Sequence, residues 1–281
     1  MITISAKSHQ KGTVLLLLTT VVWGTSFPLL KDTISSLSPS VLVAVRFFIA
    51  AIALLPWLRS INPRLLRDGV LLGTVYFLET MSALTGLESI SANRSAFIIG
   101  LNVILVPLLG VLVGKRLPRQ VLLATGLAMV GMSLMSWEGG GVGLGELLTL
   151  AAAIGVAVYI LLLEAIAPRH APLPLAAVQI WTMFLGGLLW ASPEFLSQGG
   201  AIADHLVTLT YLGIIVTIGP LWSQALGQRW VPAQEAALLY TLEPVFAAFF
   251  SFWFLGEGLS LQAALGGMVI LVATWLSQLR R

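Results

Sequence analysis

The chain has 281 residues, of which 58% are hydrophobic and 10% charged, with a formal net charge of +3 and a mean hydropathy of +0.96. Soluble domains average roughly 25% charged residues, so this composition excludes an ordinary soluble domain and marks an integral membrane protein. The chain has no cysteine, which also excludes disulfides and thiolate metal sites.

Met1 to Gln10 is polar, and the apolar run after Gly12 ends at Lys31-Asp32 without a small-residue cleavage pattern. It reads as a first span, not a cleavable signal. Apolar segments follow at 39–58, 69–88, 92–113, 119–137, 143–163, 174–192, 206–227, 233–255 and 261–279. With the first, at 12–31, they make ten predicted spans, each near the roughly 20 residues that cross the hydrocarbon. The connections are short and carry Pro, Gly and Ser, as at Ser38-Pro39, Asn62-Pro63, Leu117-Pro118 and Pro172 to Pro174, leaving no room for a soluble domain. The ninth segment is interrupted by Glu243-Pro244. Proline removes a backbone donor and crowds the carbonyl of Tyr240, so a bend is expected there, with a polar spot facing protein or water instead of lipid.

Ten crossings put Lys7, Lys11, Arg59, Arg64, Arg67, Lys115, Arg116, Arg119, Arg169, Arg229, Arg280 and Arg281 on one side, and Lys31 and Arg94 on the other. By the positive-inside rule both termini are then cytoplasmic. This placement accounts for the net positive charge, and no nucleic-acid partner is expected. The segment Ser91 to Val113 matches the ninth span at an offset of 142 residues, pairing Asn102 with Pro244, Gly114 with Gly256 and Leu117 with Leu259. Two five-helix halves, 1–138 and 139–281, follow. Because five is odd, the second half is inverted, an architecture that holds substrate near the midplane between repeats. The predicted fold class is therefore all-α, a polytopic membrane protein of ten helices in two inverted repeats.

Trp23-Gly24 with Pro28 and Lys31, the stretch from Ser91-Ala92-Asn93 to Asn102 and Pro107, and Glu243-Pro244 followed by Leu255-Gly256-Glu257 resemble the EamA-type branch of the drug/metabolite transporter superfamily. The resemblance covers the whole chain. It implies a carrier of the bacterial inner membrane with cytoplasmic termini. Spans 1–4 and 6–9 would surround a central cavity, with spans 5 and 10 at the periphery. It further implies export of amino acids or other small metabolites, and resembles bacterial exporters of aromatic amino acids. Lys115 departs from the family, whose first repeat commonly has Glu there.

The residues themselves offer no enzyme. His9, His170 and His205 lie at span ends or in loops, no serine is expected to have a histidine partner, and there is neither a phosphate-binding Gly-Lys-Ser motif nor acids at metal-ligand spacing within a span. No catalytic residue, metal or cofactor is expected. Arg46, Glu79 and Glu243 sit well inside spans, and the cost of a charge at mid-bilayer directs each toward the bundle interior. Arg46 and Glu79 are at similar depths on adjacent spans, so an ion pair between them is predicted, either as packing or as part of a site. Trp23, Phe27, Tyr76, Tyr159, Trp181, Trp222 and Tyr240 are internal aromatics that either pack or line a cavity. With Asn102 and Gln224 they suit an amphipathic solute. Pro28, Pro107, Pro220 and Pro244 are candidate hinges. Glycines in spans 4, 5 and 10 favour close packing within the chain, or a weak homodimer instead of a monomer. The expected function is export of small amphipathic metabolites, amino acids including aromatic ones, by alternating access. The alternatives are export of organic cations or nucleotide-sugar-like solutes, or a facilitative pore.

Overall fold

The computed structural model describes residues 6–90, 92–136, 143–192, 194–255 and 261–278. The side chains at positions 27, 28, 31, 92–94, 96, 135, 136, 251, 254, 255, 263 and 278 lie outside the described ones. The sequence expectations for Phe27, Pro28 and Gly256-Glu257 therefore fall outside the description. Among the described residues the chain is helical, with no strand.

Prolines and polar caps set the helix starts. α1 runs Ala6–Thr33, and α2 (Pro39–Ala53) opens on a proline, where the missing N–H has no helical acceptor to lose. α2 stops early because Leu55-Pro56 cannot continue it, and a 3₁₀ turn, Leu55–Ser60, takes over. Its 15 residues rise only about 22 Å. α3 (Pro63–Leu87) is capped by Asn62, whose Oδ1 accepts from the Leu65 N–H at 2.9 Å. The next segment is two helices, α4 (Ala92–Gly100) and α5 (Asn102–Leu112). α5 ends where Gly114, at φ +82°, takes the left-handed conformation. There the Lys115 N–H reaches the Gly110 carbonyl and the Gly114 N–H reaches that of Val111, satisfying two carbonyls of the last turn.

α6 is Arg119–Ser136, α7 Leu144–Ile166, α8 Pro172–Ala191 and α9 Gly199–Asp204. α10 (Leu206–Gly213) passes through a π turn, Ile214–Ile218, into α11 (Gly219–Gly227). α12 (Ala233–Tyr240) and α13 (Glu243–Leu255) form a second broken pair, and α14 is Leu261–Gln278. Among the described residues, four stretches are long and apolar enough to cross a membrane by themselves: Pro63–Leu87, Leu144–Arg169, Pro172–Ala191 and Leu206–Gly227. Of the other predicted spans, α1, α6 and α14 are continuous helices, while that at 39–58 is shortened at α2 and those at 92–113 and 233–255 are broken, into α4–α5 and α12–α13.

α3 packs against α7 and α8, α2 against α8, α1 against α11 and α13, and α6 against α14. Small residues bring the backbones together. A Cβ on Gly24 would stand 2.5 Å from that of Phe246, and one on Gly131 would stand 2.8 Å from the Gly266 carbonyl oxygen. Gly131 is thus used within the chain, between α6 and α14.

The two breaks fall at matching places. α4 gives way to α5 at Leu101, and α12 to α13 at Thr241-Leu242. Both tighten into i→i+3 bonds, Leu101 N–H to Ile98 O (3.1 Å) and Leu242 N–H to Leu239 O (3.1 Å). In the second pair Pro244 occupies the first turn of α13, where a missing N–H is harmless. In the first pair the break is not at Pro107, the expected hinge, which lies buried inside α5. Asn102 explains the earlier position, since its Nδ2 donates to the Ile99 carbonyl at 2.8 Å and offers the backbone an alternative to helical bonding.

Candidate functional site

The two breaks border a cavity of about 500 Å³. α1 contributes Trp23, Ser26 and Leu30, at helical spacing along one face, with Ile34 in the turn that follows, and α3 contributes Tyr76, Glu79, Ala83, Leu84 and Leu87. Ile99, Gly100 and Asn102 come from the first break, and Tyr240, Thr241, Glu243 and Pro244 from the second. Arg46, Tyr159 and Gln224 complete its polar end. The cavity is graded along its length. Its floor, at the level of the breaks, holds Arg46, Glu79, Asn102, Gln224 and Glu243. Its mouth, at the far ends of α1 and α3, is walled by Leu30, Ile34, Leu84, Leu87 and Ile90.

Aromatic rings pair across the floor. Trp23 and Tyr240 have ring centroids 5.7 Å apart, and Tyr76 and Tyr159 5.2 Å apart. The Tyr159 hydroxyl donates to Gln179 Oε1 at 2.8 Å, which fixes that ring from α8. Three polar atoms on the floor are buried without a hydrogen-bond partner: Asn102 Oδ1, Gln224 Oε1 and the Tyr240 hydroxyl.

The predicted Arg46–Glu79 ion pair is not formed. Arg46 Nε donates to Thr217 Oγ1 at 2.7 Å, and Nη2 approaches the Val216 carbonyl at 3.4 Å. That carbonyl is available because Pro220, four residues on, has no N–H to give it. Pro220 thus acts next to the π turn, a geometry that concentrates at functional positions in helices. Glu79 lies against Gly155 of α7, where a Cβ would come within 2.6 Å of its own, and its Oε1 accepts from Thr80 Oγ1 at 3.3 Å. Counting residues from span ends gave both groups the right depth but not the direction around the helix.

Trp181 and Trp222 stand apart from the cavity. Each is two residues, about 200° of helix, from a glutamine that faces inward: Gln179 bonds Tyr159, and Gln224 lines the floor. Trp181 packs on Phe184 instead, ring centroids 5.7 Å apart. Ser26, Ser95, Thr241 and Thr217 were missed from the sequence. The same-face spacing from Trp23 to Ser26 was the available signal for the first.

Toward the chain termini the floor is sealed. Thr19 Oγ1 and Ser223 Oγ are 2.6 Å apart, and a Cβ on Gly227 would meet Leu16 at 2.8 Å. Beyond them His170 Nε2 lies 2.8 Å from Asp68 Oδ2, Arg67 donates through Nε and Nη2 to Asp68 Oδ1, and His9 Nε2 lies 2.8 Å from Glu235 Oε2. Lys115 pairs with Glu164.

The profile of the EamA-like transporter family matches the chain twice, over residues 10–137 and 143–279. The chain belongs to the EamA-like transporter family. This EamA-like transporter is similar to two proteins of Archaeoglobus fulgidus, each described as an uncharacterized transporter. One is 28% identical over 269 residues, covering 94% of this chain and 85% of the relative. The other is 26% identical over 230 residues, covering 81% and 82%. A crystal structure superposes with a TM-score of 0.78 over 95% of this chain and 98% of that one, and at 17% identity this shows the shared fold. A multi-pass membrane transporter is thereby identified, and its cavity has the size of a small-molecule site.

Proposed function

We propose that this EamA-like transporter is an inner-membrane carrier of ten spans, in which halves 1–138 and 139–281 form inverted repeats and both termini are cytoplasmic. It exports small amphipathic metabolites, amino acids including aromatic ones, by alternating access. The observation that carries this reading is the graded cavity bordered by two broken helices at corresponding places in the two halves. Broken helices expose backbone groups and tolerate charge at mid-membrane, where continuous helices would face lipid. The packing also supports the repeat, because α3 on α7 has its counterpart in α11 on α1, while α2 on α8 and α6 on α14 pair equivalent helices. A solute with a polar head and an apolar tail matches the floor and mouth. A nucleotide sugar matches poorly, since Arg46 is the cation of the floor among the described residues and is already bonded to Thr217 and Val216.

Purified protein in liposomes, tested for counterflow against labelled amino acids, organic cations and nucleotide sugars, checks the carrier reading. Uptake accelerated by unlabelled amino acid on the opposite side is expected, and flux without such acceleration would indicate a pore. Orientation is tested with single cysteines in intact cells. One at Ser197 should react with an impermeant reagent added outside, whereas one at Ser60 should be protected. The reverse pattern would invert the topology.

A further inference from the structure

We infer that the cavity floor is a primary-ammonium subsite, formed by Glu79, Glu243, Asn102, Gln224 and Tyr240, and that an attached carboxylate is not needed for binding. This rests on reading the cavity as the transport site and names the chemistry of its solute. Glu79 and Glu243 have no cationic partner among the described residues, while Arg46, the neighbouring cation, is turned to Thr217 and the Val216 carbonyl. The floor therefore offers a ligand two carboxyl groups that are free of a cation among the described residues, and one guanidinium already engaged.

The neutral groups point the same way. Asn102 Nδ2 is committed to the Ile99 carbonyl at 2.8 Å, which leaves Oδ1 buried in the cavity wall without a partner. The reverse amide orientation would set two acceptor oxygens against each other, so the assignment follows from the network. Gln224 Oε1 and the Tyr240 hydroxyl are likewise unpartnered, and Asn102, Gln224 and Tyr240 are 7%, 2% and 6% exposed. Asn102 Oδ1 and Gln224 Oε1 are buried acceptors without donors and call for a ligand that brings N–H groups, while the Tyr240 hydroxyl, beside Gln224, can both donate and accept.

A primary ammonium brings three N–H donors and a positive charge. A quaternary ammonium brings the charge alone, and a carboxylate brings further acceptors. The aromatic pairs Trp23–Tyr240 and Tyr76–Tyr159 then flank the first carbons of the ligand, and its tail points to Leu30, Ile34 and Leu87.

Calorimetric titration of the full-length protein in nanodiscs with four phenyl compounds tests this: 2-phenylethylamine, L-phenylalanine, trimethyl(2-phenylethyl)ammonium and 3-phenylpropionate. The amine and the amino acid should bind, and the trimethyl and propionate compounds should bind at least about tenfold more weakly, because a site built to accept hydrogen bonds rejects analogues lacking the donors. Glu79→Gln and Glu243→Gln should each weaken the amine about tenfold or more, with Glu243→Gln still eluting as a folded particle. Equal binding of the trimethyl compound would reduce the site to a general cation pocket and overturn the inference, as would tighter binding of the propionate. Failure of all four ligands in a protein that shows counterflow with another solute would overturn the ammonium assignment alone. Absence of counterflow with every solute would remove the carrier reading beneath it.

Discussion

The two ends of the cavity are built from different materials. At the terminal end, interhelix contacts are glycine-backed seams and buried hydrogen-bonded pairs, among them Gly12 against Gly227, Asp68 with His170, and His9 with Glu235. At the mouth, Leu30, Ile34, Leu84 and Leu87 stand around an unfilled space. Opening an apolar seam to water costs about 25 cal/mol per Å² exposed, whereas polar partners parted at a water-facing end exchange their bond for bonds to water and lose about 0.5–1.5 kcal/mol each. The terminal seal is therefore the cheaper of the two to open repeatedly. The apolar mouth is the one that gains by closing, on itself or on a solute.

The hardest test of this contrast is Gly227→Leu. Its Cβ would meet Leu16 at 2.8 Å and the Gly12 carbonyl oxygen at 3.1 Å, so the α1–α11 seam must part. A loss of about 1–3 kcal/mol or more is expected, read by thermal denaturation. A cysteine at the buried Ser223 should at the same time become reactive from the terminal side. Gly126→Leu, with no atom within 4 Å, should change stability by less than about 0.5 kcal/mol. If both variants behave alike, the seam is not what closes that end.

Asp68→Leu removes the acceptor of both His170 and Arg67, and should cost about 1–3 kcal/mol. His170→Leu added to it should recover much of the loss, because the pair is then removed as a unit. Thermal midpoints of the two variants decide. Lys115→Met breaks a pair whose side chains are 33% and 24% exposed, so a change of at most about 1 kcal/mol is expected, again by melting.

The smallest expected effect is a coupling energy. Arg46 and Glu79 touch different partners, so the destabilisations of Arg46→Leu and Glu79→Leu should add to within about 0.5 kcal/mol in the double variant. A larger coupling would mean that the two charges meet in the state opposite to the one described.

Helix positions were legible because prolines and apolar runs are local signals: the segments predicted to begin near 39 and 174 start as helices at Pro39 and Pro172. The depth of Arg46, Glu79 and Glu243 was legible too, since charge cannot face lipid at mid-membrane. Direction around a helix was not. It separated Trp181 and Trp222 from the cavity and turned Arg46 away from Glu79. The position of the first break was also hidden, because Pro107 advertises a kink while the side chain of Asn102 provides one. Asp68 and His170 are 102 residues apart, and nothing local in the sequence joins them.

The π turn at Ile214–Ile218 has a meaning in terms of descent. A π turn holds one residue more than the α-helical turn in its place would, so a one-residue insertion at this point is absorbed without a loop. Related chains should therefore divide at this point by a one-residue gap. Those without the extra residue should have a regular helix here and no hydroxyl placed, as Thr217 is, to receive the arginine of the second helix. Deleting Ile215 should give that regular register in a single step, read as loss of the Arg46–Thr217 contact.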